Sequence, residues 1–154
     1  MAVFTNYADQ KDYITNVLTA DVEAQSANSA RVRFVYDLPW PLPNSEYVVN
    51  DMVVQEGETY LLYWSLDPSS PSGMSAPKYI EGYFRTQPVS PHTLIIYCNY
   101  VIPSTGLLPG KINSDGLKAM QTTLHDTVRW VDTIAAEPEV AGQRLERLRG
   151  MLAR

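Results

Sequence analysis

The clearest pattern along the chain is the alternation of residues 30–38. Val32, Phe34, Tyr36 and Leu38 share one face, and Arg31, Arg33 and Asp37 the other. A period of two with one polar side predicts a half-buried strand. Pro39, Pro41 and Pro43 then stop it, since proline cannot donate to a sheet ladder. Residues 46–55 and 58–66 read as two more strands around the turn Glu56-Gly57, which predicts a hairpin. Asp67 to Pro77 is a Pro/Ser/Gly loop. Residues 78–87 predict a fourth strand, Pro88 to Pro91 a turn, and residues 92–102 a fifth strand. Strands joined by short turns predict an antiparallel meander. Upstream, Tyr13, Ile14, Val17 and Leu18 fall at helical spacing, predicting short helical turns over residues 7–18 and extended chain from about Val22.

The period changes after Asn113. Ser114 is placed as a helix N-cap with Asp115 in the first turn. Leu117, Met120, Leu124, Thr127 with Val128, Val131 and Ile134 follow at three- and four-residue spacing. The helix spans about 20 residues, roughly 30 Å. Pro138 ends it, and residues 136–154 form an amphipathic tail with Val140, Leu145, Leu148 and Leu152. The apolar strand faces and the helical stripe must bury one another. The expected fold is therefore α+β: a curved antiparallel sheet around a long C-terminal helix, in two layers. Where such layers stand apart, the gap is an internal apolar cavity.

Composition narrows the partners. The 154 residues are 45% hydrophobic, enough for one domain with a single core. A net charge of -5 argues against nucleic acid as a partner. No apolar run approaches the roughly 20 residues of a membrane span. Asp9, Lys11 and Asp12 stand where a secretory signal would be apolar. Together these predict a soluble, cytoplasmic chain. The tail carries Arg144, Arg147, Arg149 and Arg154 against Glu139 and Glu146. It reads as a solvated helix face, with transient membrane contact as the functional alternative. The lone Cys98 excludes an internal disulfide and a multi-cysteine zinc site.

Catalytic chemistry finds little footing. His92 lies in a turn and His125 at the margin of the helical stripe, and no carboxylate pattern accompanies them. There is no nucleophile elbow and no phosphate-binding glycine loop, so no catalytic residue, metal or cofactor is expected. The residues read as facing inward are Phe34 and Tyr36; Tyr60, Leu62 and Trp64; Phe84; Ile96 and Cys98; and Leu117, Met120, Leu124 and Val128. A filled core would use the same residues. The strand at 47–54 stays unassigned, because valines and polar residues occur on both of its faces.

Three signatures, in order, resemble the START family of lipid-binding domains of the helix-grip (SRPBCC) superfamily. Pro39-Trp40-Pro41 followed by Tyr47-Val48 is similar to the family's Pro-Trp-Pro motif. Pro103-Ser104-Thr105-Gly106-Leu107-Leu108-Pro109 with Ile112-Asn113 is similar to its exit from the last strand into the long helix. Val3-Phe4, Asp9, Tyr13 and Val17 resemble the short helices before the sheet. The resemblance covers residues 1–135. It implies a cavity beneath the C-terminal helix that binds, or binds and transports, one lipid- or sterol-like molecule. The loop Trp40 to Asn44 and that helix would form its lid. Two departures stand out. Ser45-Glu46 replaces the family's Arg-Asp, and the family's opening helix and first strands would lie upstream of residue 1. A sheet short of strands has an open edge, which predicts pairing with a second copy.

Two other functions stay open. Helix-grip relatives include polyketide aromatase/cyclases, for which Tyr36, Tyr97, Asn99 and His125 are the candidate side chains. Tyr97 and Asn99, however, lie on the opposite strand face from Ile96 and Cys98. Convergent titratable groups in the cavity would favour chemistry, and an unbroken apolar lining would favour carriage. The third class is an interaction module with a filled interior.

Overall fold

The computed structural model describes residues 1–38, 43–73, 75–104 and 109–153, with 109–115 described by backbone alone. The Pro39-Trp40-Pro41 motif, residues 105–108 of the second motif, and the side chains of Ile112 to Asp115 lie outside the described residues.

A 3-10 turn at Tyr7–Asp9 runs into α1, Gln10–Tyr13. Six strands follow: β1 Val17–Gln25, β2 Ser29–Tyr36, β3 Ser45–Glu56, β4 Thr59–Leu66, β5 Pro77–Val89 and β6 His92–Pro103. Each pairs antiparallel with the next, in spatial order β1 to β6. Helices α2, Pro109–Ala135, and α3, Pro138–Leu152, complete an α+β fold with a curved sheet. No helix among the described residues is long and apolar enough to cross a membrane.

β2 has the predicted alternation: Ala30, Val32 and Phe34 are buried, while Arg31 and Arg33 lie on the other face. There Arg33 Nε meets Glu23 Oε1 at 2.6 Å, and Arg31 Nε meets Asp67 Oδ2 at 3.2 Å. The β3–β4 turn is a two-residue connection with Gly57 at φ 61°, the left-handed geometry that tight hairpins require.

Three expectations change. The helical start stops at Tyr13, and Val17 and Leu18 open β1 instead. Asn16 at φ 70° makes that turn, a conformation asparagine tolerates better than most residues. Its carbonyl accepts a 2.8 Å hydrogen bond from the Asp37 N–H, tying the start of β1 to the end of β2. The long helix begins at Pro109, so Ser114 sits within it and does not cap it. The C-terminal segment packs inward as α3, with Leu148 and Met151 buried.

The core forms two clusters on the concave side of the sheet. One joins Val3, Tyr7, Tyr13, Ile14 and Val17 to Val32, Phe34 and Val49, with Trp130 of α2 stacked on Tyr13 at 5.6 Å. The other joins Phe4, Val53, Leu62 and Phe84 to Leu148 and Met151 of α3.

Candidate functional site

Strand register decides what faces the concave side. In antiparallel sheets directly opposed residues share a face, so one row reads Ala30, Asp51, Trp64, Gly82, Asn99. The next reads Val53, Leu62, Phe84, Tyr97. Gly82 has a specific role. A Cβ there would collide with the Trp64 indole and the Cys98 carbonyl, so its absence lets Trp64 lie across β5. Trp64 Nε1 then donates to Asn99 Oδ1 at 3.1 Å.

Two spaces lie along this face. The inner one, about 90 Å³, is lined by Phe34 and Tyr36, Tyr47, Val49 and Asp51, Leu62 and Trp64, Ile80, and Tyr97 and Asn99. Phe4, Gln10, Ile14 and Thr123 close it from the other side. The outer one, about 530 Å³, is an open groove bounded by Tyr60, Phe84, Thr86 and Ile95 of the sheet, Thr127 and Val131 of α2, and Leu145 and Leu148 of α3. Phe4 lines both, and its ring stacks on Phe84 at 4.1 Å, so this pair partitions the two.

The inner cavity is rich in aromatic side chains. Tyr36 and Tyr47 stack at 5.6 Å, and Trp64 and Tyr97 meet at 5.6 Å. Asp51 is the carboxylate among them. It is 5% exposed, and its Oδ1 has no hydrogen-bond partner. Burial away from water pushes its pKa up to about 7, because desolvation penalises the charged form. Tyr7 faces Asp51 from the N-terminal turn, yet its buried hydroxyl also closes no hydrogen bond. Proximity to Tyr7 opposes the rise of Asp51 only in part. Burial likewise raises the pKa of Tyr7, Tyr36, Tyr47 and Tyr97, keeping these hydroxyls neutral donors at ordinary pH.

Of the residues read from the sequence, Phe34, Tyr36, Leu62 and Trp64 line the inner cavity, and Tyr60 and Phe84 line the groove. Leu124 packs against the second cluster, and Met120 is half-buried. Four lie elsewhere. Ile96 and Cys98 are on the opposite face of β6, because Tyr97 pairs with the inward Phe84 and Asn99 with Gly82. Leu117 and Val128 of α2 are 59% and 44% exposed. At about 100° per residue Val128 lies roughly 200° from Trp130, so the two cannot both face inward. The larger aromatic surface of Trp130 takes the buried side, together with Thr127 and Ile134.

Asp51, Tyr47, Tyr97 and Asn99 are cavity residues that the sequence reading did not assign. For Asp51 and Tyr47 the signal was an unassigned strand. For Tyr97 and Asn99 it was an inverted face, which Gly82 opposite Asn99 would have corrected. No group of three or more metal-ligating side chains occurs among the described residues.

No family model and no curated protein match the chain. Solved structures do. A STAR-related lipid transfer protein fragment from Xanthomonas axonopodis superposes with a TM-score of 0.71 at 13% identity, over 80% of this chain and 72% of that one. Human STARD10 gives 0.70 at 15% identity, over 90% and 60%. The Thermus thermophilus protein TTHA0849 gives 0.63 at 16% identity, over 88% and 87%. The fold is therefore START-like, of the helix-grip type.

Proposed function

We propose that the chain binds one hydrophobic small molecule, lipid- or sterol-like, on the concave face between sheet and helices, without transforming it. The observation that carries this reading is an aromatic-lined cavity beside an open, mostly apolar groove, the two separated by a single stacked ring pair. Similarity to a structure described as a STAR-related lipid transfer protein supports the ligand class. The test is native mass spectrometry of the purified protein, followed by organic extraction. A stoichiometric apolar molecule, or uptake of a fluorescent sterol or fatty acid, is the expected result. A protein that is empty and takes up neither overturns it.

One observation favours a second reading, a cyclase-like enzyme. Titratable groups do converge on the cavity, and Tyr97 and Asn99 line it after all. An Asp51 that titrates near neutrality suits a general base. The neutral tyrosines would donate to developing oxyanions but offer no second group titrating near neutral pH. Recovery of an altered product after incubation with an enolisable polyketide mimic would favour this reading.

Pairing of a second copy along β6, whose Leu94, Val101 and Ile102 are exposed, belongs to the same proposal. So does transient membrane contact. The native spectrum and vesicle co-sedimentation read these out.

A further inference from the structure

Resting on the binding reading, we propose that Asp51 anchors a protonated amine, so that the ligand is an apolar molecule with a small cationic headgroup. The head sits in the inner cavity, and the apolar body passes Phe4 into the outer groove.

Three observations carry this. First, Asp51 is 5% exposed, is aimed into a cavity, and has an oxygen without a partner. Buried carboxylates are ordinarily paired, because an uncompensated one is costly to hold. Every element around the cavity offers only neutral groups among the described residues. These are Tyr7 from the N-terminal turn, Gln10 of α1, Tyr36 of β2, Tyr47 of β3, Trp64 of β4, Tyr97 and Asn99 of β6 and Thr123 of α2. Arg147 of α3 influences Tyr7 but donates to Asn6 Oδ1 at 2.8 Å.

Second, Tyr36, Tyr47, Trp64 and Tyr97 line the same cavity as Asp51, and aromatic rings attract a cation to their faces. A hydroxyl would satisfy the open oxygen but leave the carboxylate charge uncompensated, whereas an ammonium satisfies both. Third, the inner space of about 90 Å³ is smaller than the roughly 150 Å³ engineered cavity that admits benzene. It takes a headgroup and leaves the apolar body for the groove.

The test is calorimetric titration of the full chain with dodecylamine and with 1-dodecanol, between pH 5.5 and 8.5. The amine is expected to bind on the order of a hundredfold tighter than the alcohol at pH 8. Its affinity should fall as Asp51 protonates at lower pH, while that of the alcohol stays level. In Asp51→Asn the amine-to-alcohol ratio should collapse toward one. In Tyr63→Ser, on the convex face, it should persist. Equal, pH-independent binding of both probes by the wild-type protein overturns the amine assignment and leaves the binding reading standing. So does an unchanged ratio in Asp51→Asn. Binding of neither probe overturns both.

Discussion

The inner cavity and the outer groove share one sheet face yet differ in how they are closed. Around the cavity, side chains from β2, β3, β4, β5 and β6 meet Phe4, Gln10 and Ile14, and Asp51 Oδ1 is left without a partner. Around the groove the walls are mostly apolar, with Gln55, Glu58, Thr86, Thr93 and Thr127 among them, and Val131 and Leu145 are 40% and 47% exposed. The first space presents buried polar and titratable groups, the second a mostly apolar wall. The Phe4–Phe84 stack is where one regime gives way to the other.

The strongest way to break that division is Phe84→Ala. Phe84 is 2% exposed and packs on Phe4 and Tyr97. Its truncation is expected to cost about 3–5 kcal/mol in urea unfolding and to merge the two spaces. A cost below about 1 kcal/mol would mean that the partition contributes little to the core.

Asp51→Asn probes the polar side. With its folded pKa raised from 3.8 to about 7, Asp51 holds its proton in the native state where the unfolded chain has lost it. Its contribution is thus fully present below pH 3.8 and is lost as pH rises toward 7. The wild-type protein should lose on the order of 4 kcal/mol over that range through this residue. The variant should lack that slope and be the more stable protein at pH 8. Parallel stability profiles for the two would show that Asp51 is compensated within the chain.

Gly82→Ala should cost about 1–3 kcal/mol, since the new methyl meets Trp64 and a backbone carbonyl that cannot move freely. The displaced indole should lose its bond to Asn99, seen as a shift in tryptophan emission. The smallest effect is expected from Leu117→Ser with Val128→Thr. Both positions are exposed, and stability should change by less than about 0.5 kcal/mol per site, with ligand uptake unaltered.

How much of this was legible in the sequence follows from where alternation carries phase. In β2 the arginines mark the outer face, so the alternation alone placed Phe34 and Tyr36. β6 reads Leu94-Ile95-Ile96-Tyr97-Cys98-Asn99-Tyr100, apolar on both faces, so its phase is set only by register with β5. β3 had the same ambiguity, and it concealed Asp51, the carboxylate among the described cavity residues. On α2 the apolar stripe was visible, but a helix turns as a rigid body. The seat of Trp130 against Tyr13 moved Leu117 and Val128 out of the interior.

The division of labour on the concave face is tested most directly by intermolecular NOEs from bound dodecylamine. Contacts are expected from the methylene beside nitrogen to Tyr47 and Trp64, and from the terminal methyl to Ile95 and Leu148. Contacts confined to Tyr63, Tyr83 and Tyr100 on the convex face would contradict it.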